Sequence, residues 1–348
     1  MVAGTASGIA AYERSWRQRK FFLGLLLVAI VVLAGIDLTL GPAKLAWHDL
    51  WRTLLYPSSV DPTLEAIVWQ IRLPQALMAV LVGASLGLAG AEMQTVLNNP
   101  LASPFTLGVS SAAALGASLT LVFDWQLPGV PAQYTLVSNA FILALLCALL
   151  LDAIARRARI GTAGIVLFGI ALVFTFNALL SLVQLTASAP ALQDLVFWMM
   201  GSLERSDWNK LGLMAMALIV VLPFSLRNVW QLTALRFGDD RAASFGVDAR
   251  RIRRGALLRI SVLAALAVAL VGVIGFIGLV APHIARKLWG EDHRWYLPAS
   301  ACIGSAILIC ASVAAKLIST HIVIPVGIVT TLVGIPFFII ALMRRTVQ

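Results

Sequence analysis

Nine stretches free of charged residues divide the chain: Phe21 to Ile36, Leu73 to Ala91, Thr106 to Phe123, Tyr134 to Leu151, Ile160 to Gln193, Leu211 to Leu226, Ile260 to Ala285, Trp295 to Ala315 and Leu317 to Met343. A membrane-spanning helix needs roughly 17 to 25 predominantly apolar residues, and each stretch is that long or nearly so. The runs are continuous. They therefore predict helices and exclude a β-barrel, whose strands alternate apolar and polar positions. Ile260 to Ala285 is too long for one straight span and too short for two, and Gly272, Gly275, Gly278 and Pro282 interrupt it. This predicts a full helix, a turn and a short returning helix within 276–290. The expectation is an all-α polytopic protein of about ten transmembrane segments: one transmembrane domain over 1–348, with its bundle at 21–343.

Composition agrees, since 60% of the 348 residues are hydrophobic and 12% charged, where a soluble protein carries about 25% charged residues. The placement of charge adds orientation. Of 26 Lys and Arg, most fall in five clusters: residues 14–20, 156–159, 227–259, 286–294, and the terminal Arg344 and Arg345. The positive-inside rule assigns all five to the cytoplasm, so an even number of crossings separates each pair and both termini are cytoplasmic. This simple reading of the net charge of +10 displaces nucleic-acid binding. Lys44, Arg52, Arg72, Arg205, Lys210 and Lys316 fall outside, among acidic residues. The basic amino-terminal stretch lacks an A-x-A-like cleavage site, and so precedes a retained first helix. Cys147, Cys302 and Cys310 lie in apolar runs, as small core residues.

The chain has no phosphate-binding loop, no H-E-x-x-H and no G-x-S-x-G elbow, and its histidines, His48, His283, His293 and His321, are scattered. These absences argue against an enzyme, with a membrane-bound enzyme kept as a rival reading, and indicate a transporter. Glu92 is the one clear intramembrane carboxylate. It is either structural, close to the inner interface, or the coupling group of an ion-driven secondary transporter. Small residues at Gly83, Gly87 and Gly90, and from Gly108 to Ala117, have the spacing of close helix packing.

Three segments are more specific. The first runs from Trp69-Gln70-Ile71-Arg72-Leu73-Pro74-Gln75 through Gly83, Gly90 and Gln94 to Asn99-Pro100-Leu101-Ala102-Ser103-Pro104 and Leu107-Gly108-Val109-Ser110-Ser111. The second is Leu235-Arg236-Phe237-Gly238-Asp239-Asp240-Arg241-Ala242-Ala243-Ser244-Phe245-Gly246-Val247. The third is Gly275-Phe276-Ile277-Gly278-Leu279-Val280-Ala281-Pro282-His283-Ile284-Ala285-Arg286, then Asp292-His293-Arg294 and Pro325-Val326-Gly327. Together they resemble the permease subunits of bacterial ABC importers for ferric siderophores, haem and cobalamin, from about Trp69 to Arg344.

That resemblance implies an inner-membrane subunit working by alternating access. Its partners would be two ATPase subunits carrying ATP and Mg, a periplasmic substrate-binding protein, a second permease copy or paralogue, and membrane lipid. The chain itself would hold no cofactor or metal. Residues 234–254, between helices 6 and 7, would be the cytoplasmic loop coupled to the ATPase, through Leu235, Gly238, Asp239, Asp240, Arg241, Ala242 and Gly246. The residues suit this, because Gly246 can supply a positive-φ turn between two short helices. Arg250, Arg251, Arg253 and Arg254 equally suit contact with anionic lipid. Gly161 and Thr162 would lie at the inner mouth of the pathway. A short helix with Phe197, Trp198, Met199 and Met200 would line the outer mouth, where aromatics also suit an interfacial belt. Arg72 and Lys316 would meet acidic groups of the binding protein. The chain departs from the family at Gln75, where a second arginine is common, and at Val323-Ile324, where an acidic residue and leucine are common. Ferric siderophore is the expected cargo, with haem and cobalamin as alternatives.

Overall fold

The computed structural model describes residues 2–42, 45–157, 162–318 and 324–343. Among them the regular structure is helical. In chain order the helices are α1 (Val2–Thr39), α2 (Trp47–Leu55), α3 (Pro62–Val96), α4 (Val109–Phe123), α5 (Ala132–Arg157), α6 (Thr162–Thr186), α7 (Ala189–Met199), α8 (Trp208–Arg227), α9 (Val229–Leu235), α10 (Asp239–Ser244), α11 (Ala249–Val271), α12 (Ile277–Trp289), α13 (His293–Ile318) and α14 (Val326–Met343). Seven are long and apolar enough to cross a membrane: α1, α3, α5, α6, α8, α11 and α13. Val109–Phe123 and Val326–Phe337 are apolar but shorter, and α12 has 13 residues. The expected Thr106–Phe123 span starts late because a 3-10 turn occupies Phe105–Leu107 and Gly108 adopts φ +89°.

Local chemistry sets several boundaries. The Asp61 carboxylate accepts from Thr63 N at 2.7 Å and opens α3, with Pro62 in its first turn. Pro74 has no N–H for the turn before it, and the backbone widens to a π-turn over Ile67–Arg72 that keeps α3 continuous. Asp207 and Asp248 cap α8 and α11 by accepting from Lys210 N at 2.8 Å and Arg251 N at 3.1 Å. At Asp207, burial alone would raise the pKa, but hydrogen bonds from Lys210 outweigh it and hold the carboxylate below its ordinary value.

Helix α3 is the centre of the bundle and packs on α8, α11, α12 and α13. At three glycines its backbone approaches a neighbouring helix directly. A Cβ on Gly83 would strike the backbone of Gly304, one on Gly87 the carbonyl of Ser300, and one on Gly90 the carbonyl of Gly278. Gly116 of α4 meets Asn139 and Ala140 of α5 in the same way. The small-residue stripes are thus packing surfaces.

The Ile260–Ala285 run resolves as a full helix, α11, a turn at 272–276, and the short α12. Gly272, at φ +78°, ends α11, and Phe276 turns the chain at φ +66°. Pro282 lies inside α12 instead of breaking it. It withholds the donor that Gly278 O would otherwise receive, and that carbonyl rests against Gly90.

Candidate functional site

The loop expected to couple to the ATPase holds the short helix α10 between the end of α9 and the start of α11. Gly238 (φ +96°) and Gly246 (φ +77°) bracket α10, and neither has a heavy atom within 4 Å of where a Cβ would stand. Their left-handed backbone, not crowding, is what requires glycine. Leu235 and Ala242 are buried against the bundle, and Val247 N donates to Ala242 O at 3.0 Å. Asp239, Asp240 and Arg241 are exposed. So are Trp230, Phe237 and Phe245, of which Trp230 and Phe245 meet edge to face at 6.2 Å. The sequence reading missed this aromatic face.

A layer of polar side chains lies between the loop and the bundle. Arg253 of α11 donates to the Asp239 carboxylate at 3.0 Å and, through Nε, to Val96 O at 2.8 Å. Thr233 Oγ1 lies 3.0 Å from His293 Nδ1, and Thr95 Oγ1 lies 2.7 Å from His293 Nε2. Arg236 pairs with Glu291, which Arg286 approaches at 3.8 Å. Arg286 then donates to Gln94 Oε1 at 3.0 Å and Tyr296 Oη at 3.1 Å. Burial, followed by the neighbouring Arg286, pushes the Arg236 guanidinium below its ordinary pKa. Asp292 is held low by Arg294 hydrogen bonds against the upward push of burial. A cavity of about 490 Å³ opens beside this layer, lined by Trp230, Phe237, Asp292 and Arg294 among others.

Glu92 is 1% exposed and makes a two-pronged ion pair with Arg259, whose Nε lies 3.1 Å from Oε2 and 3.2 Å from Oε1. This pairing gives Glu92 a structural partner and ties α3 to α11.

At the opposite end of the bundle, Arg72 is 4% exposed and donates to Leu38 O at 2.7 Å. Lys316 donates to Asp37 O at 3.0 Å and pairs with the Asp37 carboxylate at 2.7 Å. Ser312 donates to the same carboxylate at 2.6 Å. Helix α1 has no basic residue in its last turn, so cations from α3 and α13 satisfy its terminal carbonyls and complement its dipole. Both side chains expected at the binding-protein surface are thus engaged inside the chain.

Helix α7 is the expected short extra helix, with Phe197 exposed, Met199 and Met200 half-buried, and Trp198 only 1% exposed in the core. Trp198 is therefore a packing residue in this structure. The backbone after α7 meets the ends of two other helices: Ser202 N donates to Val271 O, the last residue of α11, at 2.8 Å, and Gly327 N, in the first turn of α14, donates to Gly201 O at 3.2 Å. Gly161 lies outside the described residues, and Thr162 begins α6.

The profile of the FecCD transport family matches residues 26–344. The chain belongs to the FecCD transport family. Among FecCD-type relatives, it is 35% identical over 331 residues to the hemin transport system permease protein HmuU of Yersinia pestis, covering 95% of this chain and 98% of the relative. It is 35% identical over 315 residues to the vitamin B12 import system permease protein BtuC of Vibrio cholerae, covering 90% and 93%. It is 32% identical over 335 residues to the iron(3+)-hydroxamate import system permease protein FhuB of Bacillus subtilis, covering 94% and 85%. A solved structure described as an inward-facing conformation of a metal-chelate type ABC transporter superposes with a TM-score of 0.82 at 29% identity, covering 93% and 99%. As a FecCD protein the chain is a multi-pass ABC importer permease and not an enzyme, with ATP hydrolysis on a separate subunit.

Proposed function

We propose that this permease imports a ferric siderophore and that the 234–254 loop takes up the motion of two ATPase subunits. The observation that carries the cargo reading is a stripe of uncharged polar residues on α6. Asn177 and Ser181 are exposed there and Gln184 is half-buried, at helical spacing along an otherwise apolar span. Polar groups facing lipid are unfavourable, so such a face belongs against water or protein. The stripe fits a central pathway shared with a second permease copy or paralogue. Ser181 already donates to Asn177 O at 2.9 Å, which leaves weak and uncharged contacts suited to the passage of a bulky chelate. The iron(3+)-hydroxamate relative supports the choice of cargo, and the hemin and vitamin B12 relatives supply the alternatives.

The same reading places the loop end of the bundle in the cytoplasm with both termini. The three short helices α4, α12 and α14 complete about ten membrane-entering segments. A periplasmic binding protein delivers the chelate at the Asp37 end.

The test is uptake by proteoliposomes holding the permease with its ATPase and binding protein. ATP-dependent, saturable uptake of radiolabelled iron as a hydroxamate chelate is expected, well above uptake of haem or cobalamin. Cobalamin or haem uptake without hydroxamate uptake overturns the cargo. Gly246→Val imposes a positive φ on a β-branched residue, a strain of about 1 to 3 kcal/mol, and should abolish substrate-stimulated ATP hydrolysis while the complex still assembles. Unchanged stimulation overturns the loop assignment.

A further inference from the structure

Four consecutive contacts of one helix end are made by residues from three others. Within the last turn of α3, Glu92 holds Arg259, Gln94 holds Arg286, Thr95 holds His293, and the Val96 carbonyl holds Arg253. Three of these partners also hold the coupling loop or its bound neighbour. Arg253 grips Asp239 of α10, His293 touches Thr233 of α9, and Arg286 reaches Glu291, which pairs with Arg236 at the end of α9. The loop is therefore fastened to one turn of α3 by three separate polar routes.

We infer that the C-terminal turn of α3 receives the displacement of the coupling loop, with Arg253 and His293 as the positioning residues that lock α9 and α10 to it. The inference rests on the coupling role proposed for residues 234–254. Physical continuity beyond that turn favours it. Helix α3 meets α12 at Gly90 and Gly278, and α13 at Gly83 and Gly304, backbone against backbone, so at those points a push on its end passes through main chain in a close-packed interior. The loop, α3, α12 and α13 then move as one block against α4–α7. Direct contact with α11 alone would give no such block, because a single short helix anchored only at its own base is free to pivot.

Two readouts on the assembled transporter test this. Spin labels at Ala243→Cys and Leu288→Cys, in a Cys310→Ala background, report the distance between α10 and the end of α12. With and without a non-hydrolysable ATP analogue the parent should give one narrow, unchanged distribution. In Arg253→Ala/His293→Ala the distribution should broaden or shift on nucleotide binding. In the second readout, substrate imported per ATP hydrolysed should fall at least tenfold in the double variant while the ATPase subunits remain bound and hydrolyse ATP. Arg253→Lys should restore part of the ratio, because an ammonium can reach one of the two acceptors. A distance that changes with nucleotide in the parent, or a double variant with the parental ratio, overturns the inference. If Gly246→Val also leaves coupling intact, the loop assignment itself has failed. If Gly246→Val uncouples and the double variant does not, only the α3 route has.

Discussion

At the scale of single residues, the buried charges are best understood by asking which carbonyl or carboxylate each one completes. Lys316 was legible as a cation at the outer end of a span. Its target was not, because Asp37 lies 279 positions away and no local pattern links them. Truncating one member of a buried pair commonly costs about 3 to 5 kcal/mol, since the other charge is left behind. For Lys316→Met the loss should lie near the lower end, about 3 kcal/mol, because Ser312 still donates to Asp37. Thermal unfolding in detergent should show a lowered midpoint, with partial recovery in Asp37→Asn/Lys316→Met, while affinity for the binding protein is unchanged. Loss of that affinity at full thermal stability would return Lys316 to a docking role. Glycine was easier: Gly246 was assigned a positive φ from its neighbours and has it.

Elements were legible to the degree that their apolar runs are uninterrupted. The full α11, the turn and the short α12 follow from Gly272, Gly275 and the length of one run, whereas Pro282 misled, because a proline is accommodated in a helix once the carbonyl it frees finds a new neighbour. What no run could show is how α3 is seated. Gly90→Ala should place a Cβ into the Gly278 carbonyl and destabilise the bundle by at least the 1 to 3 kcal/mol typical of overpacking. Gly212→Ala on α8, where the space is open, should instead stabilise by roughly 0.5 to 1 kcal/mol from helix propensity. Paired melting curves in the same detergent decide the matter: a Gly90→Ala midpoint equal to that of Gly212→Ala contradicts the backbone joint.

For the whole molecule, three of the five basic clusters that the sequence assigns to one side, 14–20, 227–259 and 286–294, meet at one end, while Arg159, Arg344 and Arg345 lie outside the described residues. Trp289 Nε1 donates to Arg19 O at 3.1 Å, and Arg236 joins Glu291, while Asp37, Arg72 and Lys316 gather at the other end. That arrangement predicts sidedness. A thiol-specific, impermeant reagent should reach Asp248→Cys only from the cytoplasm and Glu204→Cys only from the periplasm, and the reverse pattern would invert the topology. The polar layer around His293 was invisible beforehand, since its partners come from positions 95 and 233 and each residue looks ordinary in its own segment.

The glycine joints of α3 also divide labour within the protein. Where two helices touch through main chain, the fit at that point is set by atoms that every residue shares, and fewer side chains elsewhere are needed to hold the scaffold together. Under the proposed function, exposed positions of the α6 stripe such as Asn177 and Ser181 are then free of that task. A protein built this way can keep its scaffold fixed while the surface that its passenger meets is altered.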